Sequence, residues 1–325
     1  MSNRPLRIVI PGGSGQVGLL LARHFHALGH QVSVLSRGPS AEPWQTVHWD
    51  GRSIGPWVEE LEGADVCINL AGRSINCRYT PAHRKAIHDS RVETTELLGS
   101  VIASLGAPPR LWLNASSATI YRSSVDRDMD ELTGTIGSED ANAPDSWKFT
   151  MKVTNDWEAA FFRAPTPQTR KVALRTSIVF GAVQGTAFGV LLNLVRLTLG
   201  GTQGSGRQFI SWIHELDFAR AVEFLIDHEE IDGPINMTAP HPLPNRDFMR
   251  ALRLAWGNGH EINGIPAPSI LIELGAFLIR TESELVLKSR RVVPTRLLNA
   301  GFEFEFPEWP EAAFDLVHQW RNKDF

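Results

Sequence analysis

Cysteine is scarce: Cys67 and Cys77 are the only two in 325 residues. One pair cannot build the disulfide framework that staples small secreted domains, and Cys67, inside the apolar run DVCINLAG, reads as a small core residue in a reducing compartment. Long apolar runs are missing as well. The most apolar late stretch, SILIELGAFLI from Ser269, carries Glu273 and is too short to span a bilayer. The N-terminal apolar stretch is short and runs into a glycine loop, which argues against a signal sequence. Basic charge is not in excess: 32 Lys+Arg against 36 Asp+Glu give a formal net charge of −4. Without a basic stripe to offset phosphate repulsion, a nucleic-acid partner is not expected. No G-x-S-x-G elbow occurs, so a hydrolase triad lacks its anchor. His24, His26 and His30 look metal-like, but only residues three or four apart share a helix face, and Gly29 is expected to end the helix between His26 and His30. No metal site is expected. The expectation is a cytoplasmic globular protein, a monomer or homodimer, with a small-molecule partner rather than a nucleic acid or a membrane.

The most informative stretch present is residues 7–18, RIVIPGGSGQVG. A β-branched run empties into glycines, and an apolar helical pattern follows at once. Gly13, Gly15 and Gly18 fit G-x-G-x-x-G; Gly12, Gly15 and Gly18 fit G-x-x-G-x-x-G. Such spacing has a chemical reason. One glycine lets the strand turn sharply, a second lets backbone N–H groups reach a pyrophosphate, and the last lets the helix pack close to the strand. The helix N-terminus adds partial positive charge. Gly12 to Gly18, with Ser14, Gln16 and Val17 between them, are therefore the candidate phosphate cradle.

Strand-like and helix-like patterns alternate through the first 180 residues, which predicts an α/β fold with a doubly wound parallel sheet. Strands are expected at 7–10, 32–36, 46–49, 66–70, 111–116 and 172–180. The first helix spans about 16–28, with Gly29 as its C-terminal cap, and a long helix from Thr80–Pro81 runs to Leu105. After Phe180, glycine-rich loops and clustered prolines separate short elements. Asp217 is expected to cap a helix ending near Asp227, INMT at 235–238 to return to the first sheet, and a closing helix to start at Pro310. The expected division is thus interleaved: 1–180 with about 215–238 as the nucleotide domain, 181–214 with 239–325 as a smaller mixed substrate lobe.

The end of the second strand selects between NAD and NADP, because an acid there bonds the ribose 2′-hydroxyl whereas a base accommodates a 2′-phosphate. No acid occurs between Gln31 and Ala41, and Ser36 and Arg37 stand where the discriminating residue belongs. The cofactor expected is NADP(H), with a solvated turn arginine as the plainer reading of Arg37. Asp50 fits either the adenine amino group or a turn. Leu70, Ala71 and Gly72 follow a strand end, where small side chains let backbone lie against a cofactor or simply pack.

The segments GGSGQVG, CINLAG, ASSATIY and LRTSIVFG resemble the extended short-chain dehydrogenase/reductases. HDSRVETT, NDWEAA, GSGRQFISWIHELDFARA, GPINMTAPHPLPN and VPTRLLNAGFEFEFPE narrow the resemblance to an atypical, YfcH-like epimerase subfamily of the NAD-dependent epimerase/dehydratases, in order over nearly the whole chain. It implies the Rossmann fold of an extended member, a nicotinamide cofactor, and a serine, tyrosine and lysine in typical enzymes. The lysine lowers a tyrosine pKa that otherwise lies near ~10. Ser117, with Ser116 beside it, falls at the serine. Counting back from Trp157-Glu158 puts Thr150 and Thr154 at the tyrosine and lysine positions, and neither can do that acid–base work.

Candidate substitutes each have a plainer reading beside them: Lys148 and Lys152 near the vacant positions or a solvated face, His214 a group titrating near neutrality in a substrate cleft or a packed histidine of the lobe junction, and Tyr121 a lining of the nicotinamide site or a packed residue. Arg78, Arg91 and Arg207 are candidates for an anionic substrate. Two functions are therefore expected: an NADP(H)-dependent oxidoreductase or epimerase on a carbonyl or sugar-nucleotide-like substrate, or a catalytically inactive NADP(H)-dependent sensor or interaction protein.

Overall fold

The computed structural model describes residues 4–137, 143–278 and 282–323. In chain order the elements are β1 (Arg7–Pro11), α1 (Gln16–Ala27), β2 (Gln31–Ser36), β3 (Gln45–His48), α2 (Val58–Leu61), β4 (Val66–Asn69), α3 (Pro81–Ser104), β5 (Leu111–Ser117), α4 (Asp145–Arg163), β6 (Arg170–Thr176), β7 (Ile178–Phe180) and α5 (Ala187–Arg196). They continue with β8 (Phe209–Ile210), β9 (Trp212–His214), α6 (Glu215–Asp227), β10 (Gly233–Met237), β11 (Leu243–Pro244), α7 (Asn245–Trp256), α8 (Ser269–Leu278), α9 (Glu284–Leu287), α10 (Thr295–Asn299) and α11 (Trp309–Asn322). Seven strands form one sheet in the order β10-β6-β5-β4-β1-β2-β3, and every pairing in it is parallel. The order reverses between β1 and β4, which opens a crevice at their C-terminal ends.

Helices cover both faces, so the central strands β1 and β4 read as nearly continuous apolar runs. The period of two still sorts them. Ile8, Ile10, Val66, Ile68, Leu111 and Leu113 face α1 and α6, meeting Phe25, Phe218 and Val222. Val9, Cys67, Trp112 and Ala173 face α3 and α4, meeting Leu98, Ile102 and Phe161. A separate aromatic core joins Phe180, Phe188, Trp212, Phe248, Trp309 and Trp320, with Phe248 stacked on Trp309 at 4.0 Å between centroids. Leu297 and Phe302, from the last part of the chain, pack into the first core instead.

The expected helix ends hold where local chemistry sets them. The Thr80 side chain caps α3 by accepting from the His83 N–H, and Gly29 follows α1 at φ +82°, a conformation glycine adopts without strain. The chain does return to the main sheet at Ile235, Asn236 and Met237, which are part of β10 beside β6.

Two expectations need correction. The strand expected at 172–180 divides at Ser177, whose N–H and Oγ both bond to Met237 O. Beyond it β7 leaves the main sheet and pairs with β9. The α6 cap is His214, whose Nδ1 accepts from the Leu216 N–H. Asp217 is instead fully buried one turn in, accepting from the N–H groups of Glu305 and Phe306 at 2.8 Å each. A carboxylate that ties down a distant loop looks, locally, like a cap.

Candidate functional site: the crevice between β1 and β4

The glycines divide their labour. Gly12 has φ +76°, and a Cβ there would lie 2.7 Å from Ala71 Cα. That contact presses the turn after β1 against the loop after β4. Gly13 donates its N–H to Ile10 O, closing the turn. A Cβ on Gly18 would come within 2.4 Å of Gly13 Cα, so this glycine sets how closely α1 packs. Gly15 differs: the nearest atom to a Cβ there is Gly12 O at 3.7 Å. Nothing within the described residues requires glycine at 15, whereas an outside group seated on the turn would. Ser14, Gly15 and Gln16 are exposed, and α1 has no side-chain cap. Among the described residues the amides of Ser14, Gln16 and Val17 have no hydrogen-bond acceptor, the arrangement suited to an anion.

At the end of β2, Ser36 is buried, donating to Gly38 O and accepting from the Gly38 N–H. It shapes the turn that presents Arg37. Arg37 is exposed and has no hydrogen bond or ion pair among the described residues. Asp50 accepts from the N–H groups of Arg52 and Ser53 and from Ser53 Oγ, and these bonds hold its exposed carboxyl down at about 2. Of its two expected roles, the turn is the one its bonds make.

Across the crevice, Asn69 accepts from the Ala71 N–H at 3.1 Å and donates to Asn114 Oδ1 at 2.7 Å, fixing the Leu70–Ala71–Gly72 loop. Behind Gly72 lies Arg91, held by Arg73 O and Ile87 O and lying over the Trp157 ring. Arg78 pairs with Glu282 at 3.6 Å, while Arg207 is exposed. Of the three arginines put forward for an anionic substrate, two are thus engaged within the chain.

Ser116 and Ser117 end β5 and point to different tasks. Ser116 donates to Glu158 Oε1 at 2.5 Å inside the protein. Ser117 accepts from the Thr119 N–H at 3.2 Å, and its own proton has no acceptor among the described residues. Glu158 forms a two-bond ion pair with Arg175, at 2.9 and 2.8 Å. Arg175 in turn donates to the Tyr121 hydroxyl at 2.9 Å, and that hydroxyl donates to Asn236 Oδ1 at 3.0 Å. Tyr121 is 1 % exposed, and burial pushes its hydroxyl up to about 12 despite Arg175. With its proton given to Asn236 and its oxygen held by Arg175, the Tyr121 hydroxyl is used up in a buried polar chain.

On α4, Thr150 donates to Glu284 Oε1 at 2.7 Å and Thr154 donates to Thr150 O. Lys148 is exposed and Lys152 pairs with Asp156 at 2.6 Å, so the lysine pair lies on a solvated face. His214 is 1 % exposed, with Nε2 3.1 Å from Asp315 and its ring against Phe306. Burial lowers its pKa, opposed by Asp315 and Asp217. It is a packed capping group at the junction. Of the three histidines on and after α1, His24 meets Glu223 and His30 accepts from the Leu6 N–H. Among the described residues no three His, Cys, Asp or Glu gather to hold a metal, and no helix is long and apolar enough to cross a membrane.

Glu158, Arg175, Asn236 and Glu284 carry no mark in the local sequence. Each acts through a partner distant in the chain, up to 134 residues for Thr150 and Glu284, and no local spacing announces such pairs. Glu158 and Arg175 stand among other charged residues in α4 and β6, so their charge does not single them out.

A doubly wound parallel sheet, with an uncapped helix N-terminus after its first strand and small residues pressed on that turn, defines a Rossmann-fold protein of the dinucleotide-binding architecture. Residues 8–237 match the model of the NAD dependent epimerase/dehydratase family, and residues 267–316 match a domain of unknown function, DUF1731. The chain belongs to the NAD dependent epimerase/dehydratase family, as an atypical extended member. It is 33% identical over 316 residues to bovine epimerase family protein SDR39U1, covering 96% of this chain and all of that protein. Identity to the human protein of that name is 32% over 317 residues, again 96% of this chain and 100% of the relative. The crystal structure of human SDR39U1 with NADPH superposes with a TM-score of 0.83 at 30% identity, over 96% of this chain and 99% of that one. UDP-N-acetylglucosamine 4-epimerase from Bacillus cereus, at 14% identity and TM-score 0.73, covers 98% of both chains and shows the same fold.

Proposed function

We propose that this protein is a cytoplasmic NADP(H)-dependent oxidoreductase or epimerase-like enzyme acting on a small carbonyl or sugar-nucleotide-like substrate. The observation that carries the reading is the uncapped N-terminus of α1 with the exposed Arg37 at the end of β2, among described residues that offer Arg37 no partner. The residues present fit the group. Amides at Ser14, Gln16 and Val17 would hold the pyrophosphate, Gly15 leaves it room, and Arg37 on the Ser36 turn would hold the 2′-phosphate. The NADPH of the human relative's structure supports the same choice. When bound, the cofactor supplies hydride chemistry. The protein's part is to hold it, exclude water, and orient a substrate oxygen, for which the Ser117 proton is available. In this reading residues 1–180 with about 215–238 carry the nucleotide, and 181–214 with 239–325 carry the substrate.

The test compares Kd for NADPH and NADH, in the wild type and in Arg37→Asp. A charge-assisted bond to phosphate contributes about 1.5–3 kcal/mol, so NADPH should bind roughly ten- to hundredfold tighter than NADH, and the variant should abolish that preference. Equal affinities in the wild type refute the cofactor choice. Reduction of carbonyl compounds and nucleotide-linked keto sugars is then measured with NADPH, and Ser117→Ala should slow it. Inactivity throughout, with NADPH bound, would instead favour a sensor or interaction protein that keeps the cofactor without catalysis.

A further inference from the structure

At the α4 position where the resembled enzymes carry a tyrosine, Thr150 donates its hydroxyl proton to a carboxyl from α9, Glu284 Oε1, at 2.7 Å. Glu284 is 1 % exposed. Its other oxygen, Oε2, is buried and has no hydrogen-bond partner among the described residues, and the same is true of the Tyr79 hydroxyl. Native interiors satisfy nearly all buried polar atoms. Two orphans around one carboxyl mark a place where an outside polar group is expected. The carboxyl is also tied to the β5 serine. Arg290 Nη2 lies 3.5 Å from Glu284 Oε1, Arg290 Nε donates to Thr119 Oγ1 at 3.3 Å, and the Thr119 N–H donates to Ser117 Oγ. Lys288 closes the cluster by donating to Thr119 O at 2.9 Å.

We propose that Glu284 is the proton donor and acceptor of this chain, with its free Oε2 serving the substrate oxygen in place of the tyrosine that α4 lacks. The inference rests on the enzymatic reading above and deepens it. The charged and titratable groups around the carboxyl are Arg290, Lys288 and Glu282 from its own segment and Tyr79 from the approach to α3; α4 contributes the neutral Thr150. Burial is the dominant influence and raises the Glu284 pKa, against the opposing pull of Arg290, Thr150 and Lys288. An acid raised toward neutrality is what proton transfer at working pH requires. In carbonyl reduction the C=O π bond breaks. The carbon takes a hydride from the reduced nicotinamide and the oxygen takes the Glu284 proton. The product is an alcohol, the carboxylate left behind recovers a proton from water, and the nicotinamide ends oxidised. Thr150 and Arg290 act as positioning residues, fixing Oε1 so that Oε2 is presented.

The test uses the full chain and three readouts. In infrared difference spectra across pH, the wild type should show the carbonyl stretch of a protonated carboxylic acid, titrating above the ordinary carboxylate range of about 4.3 and missing from Glu284→Gln. With NADPH and an aromatic α-diketone as probe, Glu284→Gln should lower kcat by about 10²–10⁴-fold, leave the Kd for NADPH unchanged and erase the basic limb of the pH profile. Thr150→Val keeps the side-chain shape and removes a bond that favours the ionised carboxyl, so that limb should move to higher pH, which also serves if Glu284→Gln does not fold. An ionised Glu284 at neutral pH, an unchanged profile in both variants, or no turnover by NADPH-bound wild type each overturns the proposal while leaving cofactor binding intact. Failure of the wild type to bind NADPH overturns the reading beneath it.

Discussion

The two glycines at 15 and 18 separate folding from ligand binding, because the same added methyl group meets different surroundings. At Gly15 the backbone lies at φ −79° and ψ 169°, open to any residue, and the nearest neighbour of a Cβ is 3.7 Å away. Gly15→Ala loses a little as a helix cap and gains ~0.4–1 kcal/mol from the less flexible unfolded chain, so stability should hardly change. In the proposed function a methyl group there would stand where the pyrophosphate is held. Overpacking of close contacts costs about 1–3 kcal/mol, which is roughly five- to 150-fold in Kd for NADPH. At Gly18 the added Cβ would lie 2.4, 2.5 and 2.6 Å from three backbone atoms of Gly13. Backbone cannot rotate aside as a side chain can, so Gly18→Ala should cost about 1–3 kcal/mol or more of folding stability. The assays are thermal or denaturant unfolding of the ligand-free proteins, and fluorescence titration with NADPH. Unaltered NADPH affinity in Gly15→Ala, or equal destabilisation by both variants, would refute this division of roles.

Further consequences follow from the buried groups. Glu158→Gln leaves the Arg175 charge buried without its counterion and should cost about 3–5 kcal/mol in denaturant unfolding; a double replacement of both residues by leucine should cost less, and the reverse order would contradict the pairing. Burial depresses His214 in the folded chain, whereas the unfolded chain takes up its proton near the ordinary ~6.5. The stability this group contributes is therefore present above that value and lost as pH falls through the lower folded pKa. Relative to His214→Gln, the wild type should lose stability more steeply as pH falls below about 6.5, and parallel curves would contradict it. Tyr121→Phe leaves Arg175 and Asn236 each short of a partner and should destabilise by about 1–3 kcal/mol. Catalysis should fall only in step with folding, which a kcat loss in fully folded protein would disprove.

Local chemistry made much of the fold readable. The turn after β1, the Thr80 cap, Gly29 after α1 and the apolar strands each depend on residues a few positions apart, so their spacing appears directly in the sequence. The same holds for the glycine turn before α1 and for the position of Arg37 just after β2. Other features depend on distant partners. Ser177 ends β6 because its amide and hydroxyl bond to Met237 O, 60 residues away, and nothing in LRTSIVFG reveals a break. His214 displaces Asp217 as the α6 cap because a loop at Glu305 and Phe306 claims the aspartate. Tyr121 and Glu284 are alike in this respect: one is consumed by Arg175 and Asn236, the other is delivered to Thr150 by a segment more than a hundred residues on. Tertiary packing decided these, and their local sequence carries no mark of it.

In the proposed function the crevice between β1 and β4 holds an NADP(H) molecule by backbone amides at the start of α1 and by Arg37. A crystal structure of the full chain grown with NADPH tests it most directly. The pyrophosphate should lie on the amides of Ser14, Gln16 and Val17, and the 2′-phosphate within hydrogen-bond distance of the Arg37 guanidinium. A dinucleotide bound there with Arg37 turned to solvent would contradict the cofactor choice, and a crevice that stays empty at saturating NADPH would contradict the claim itself.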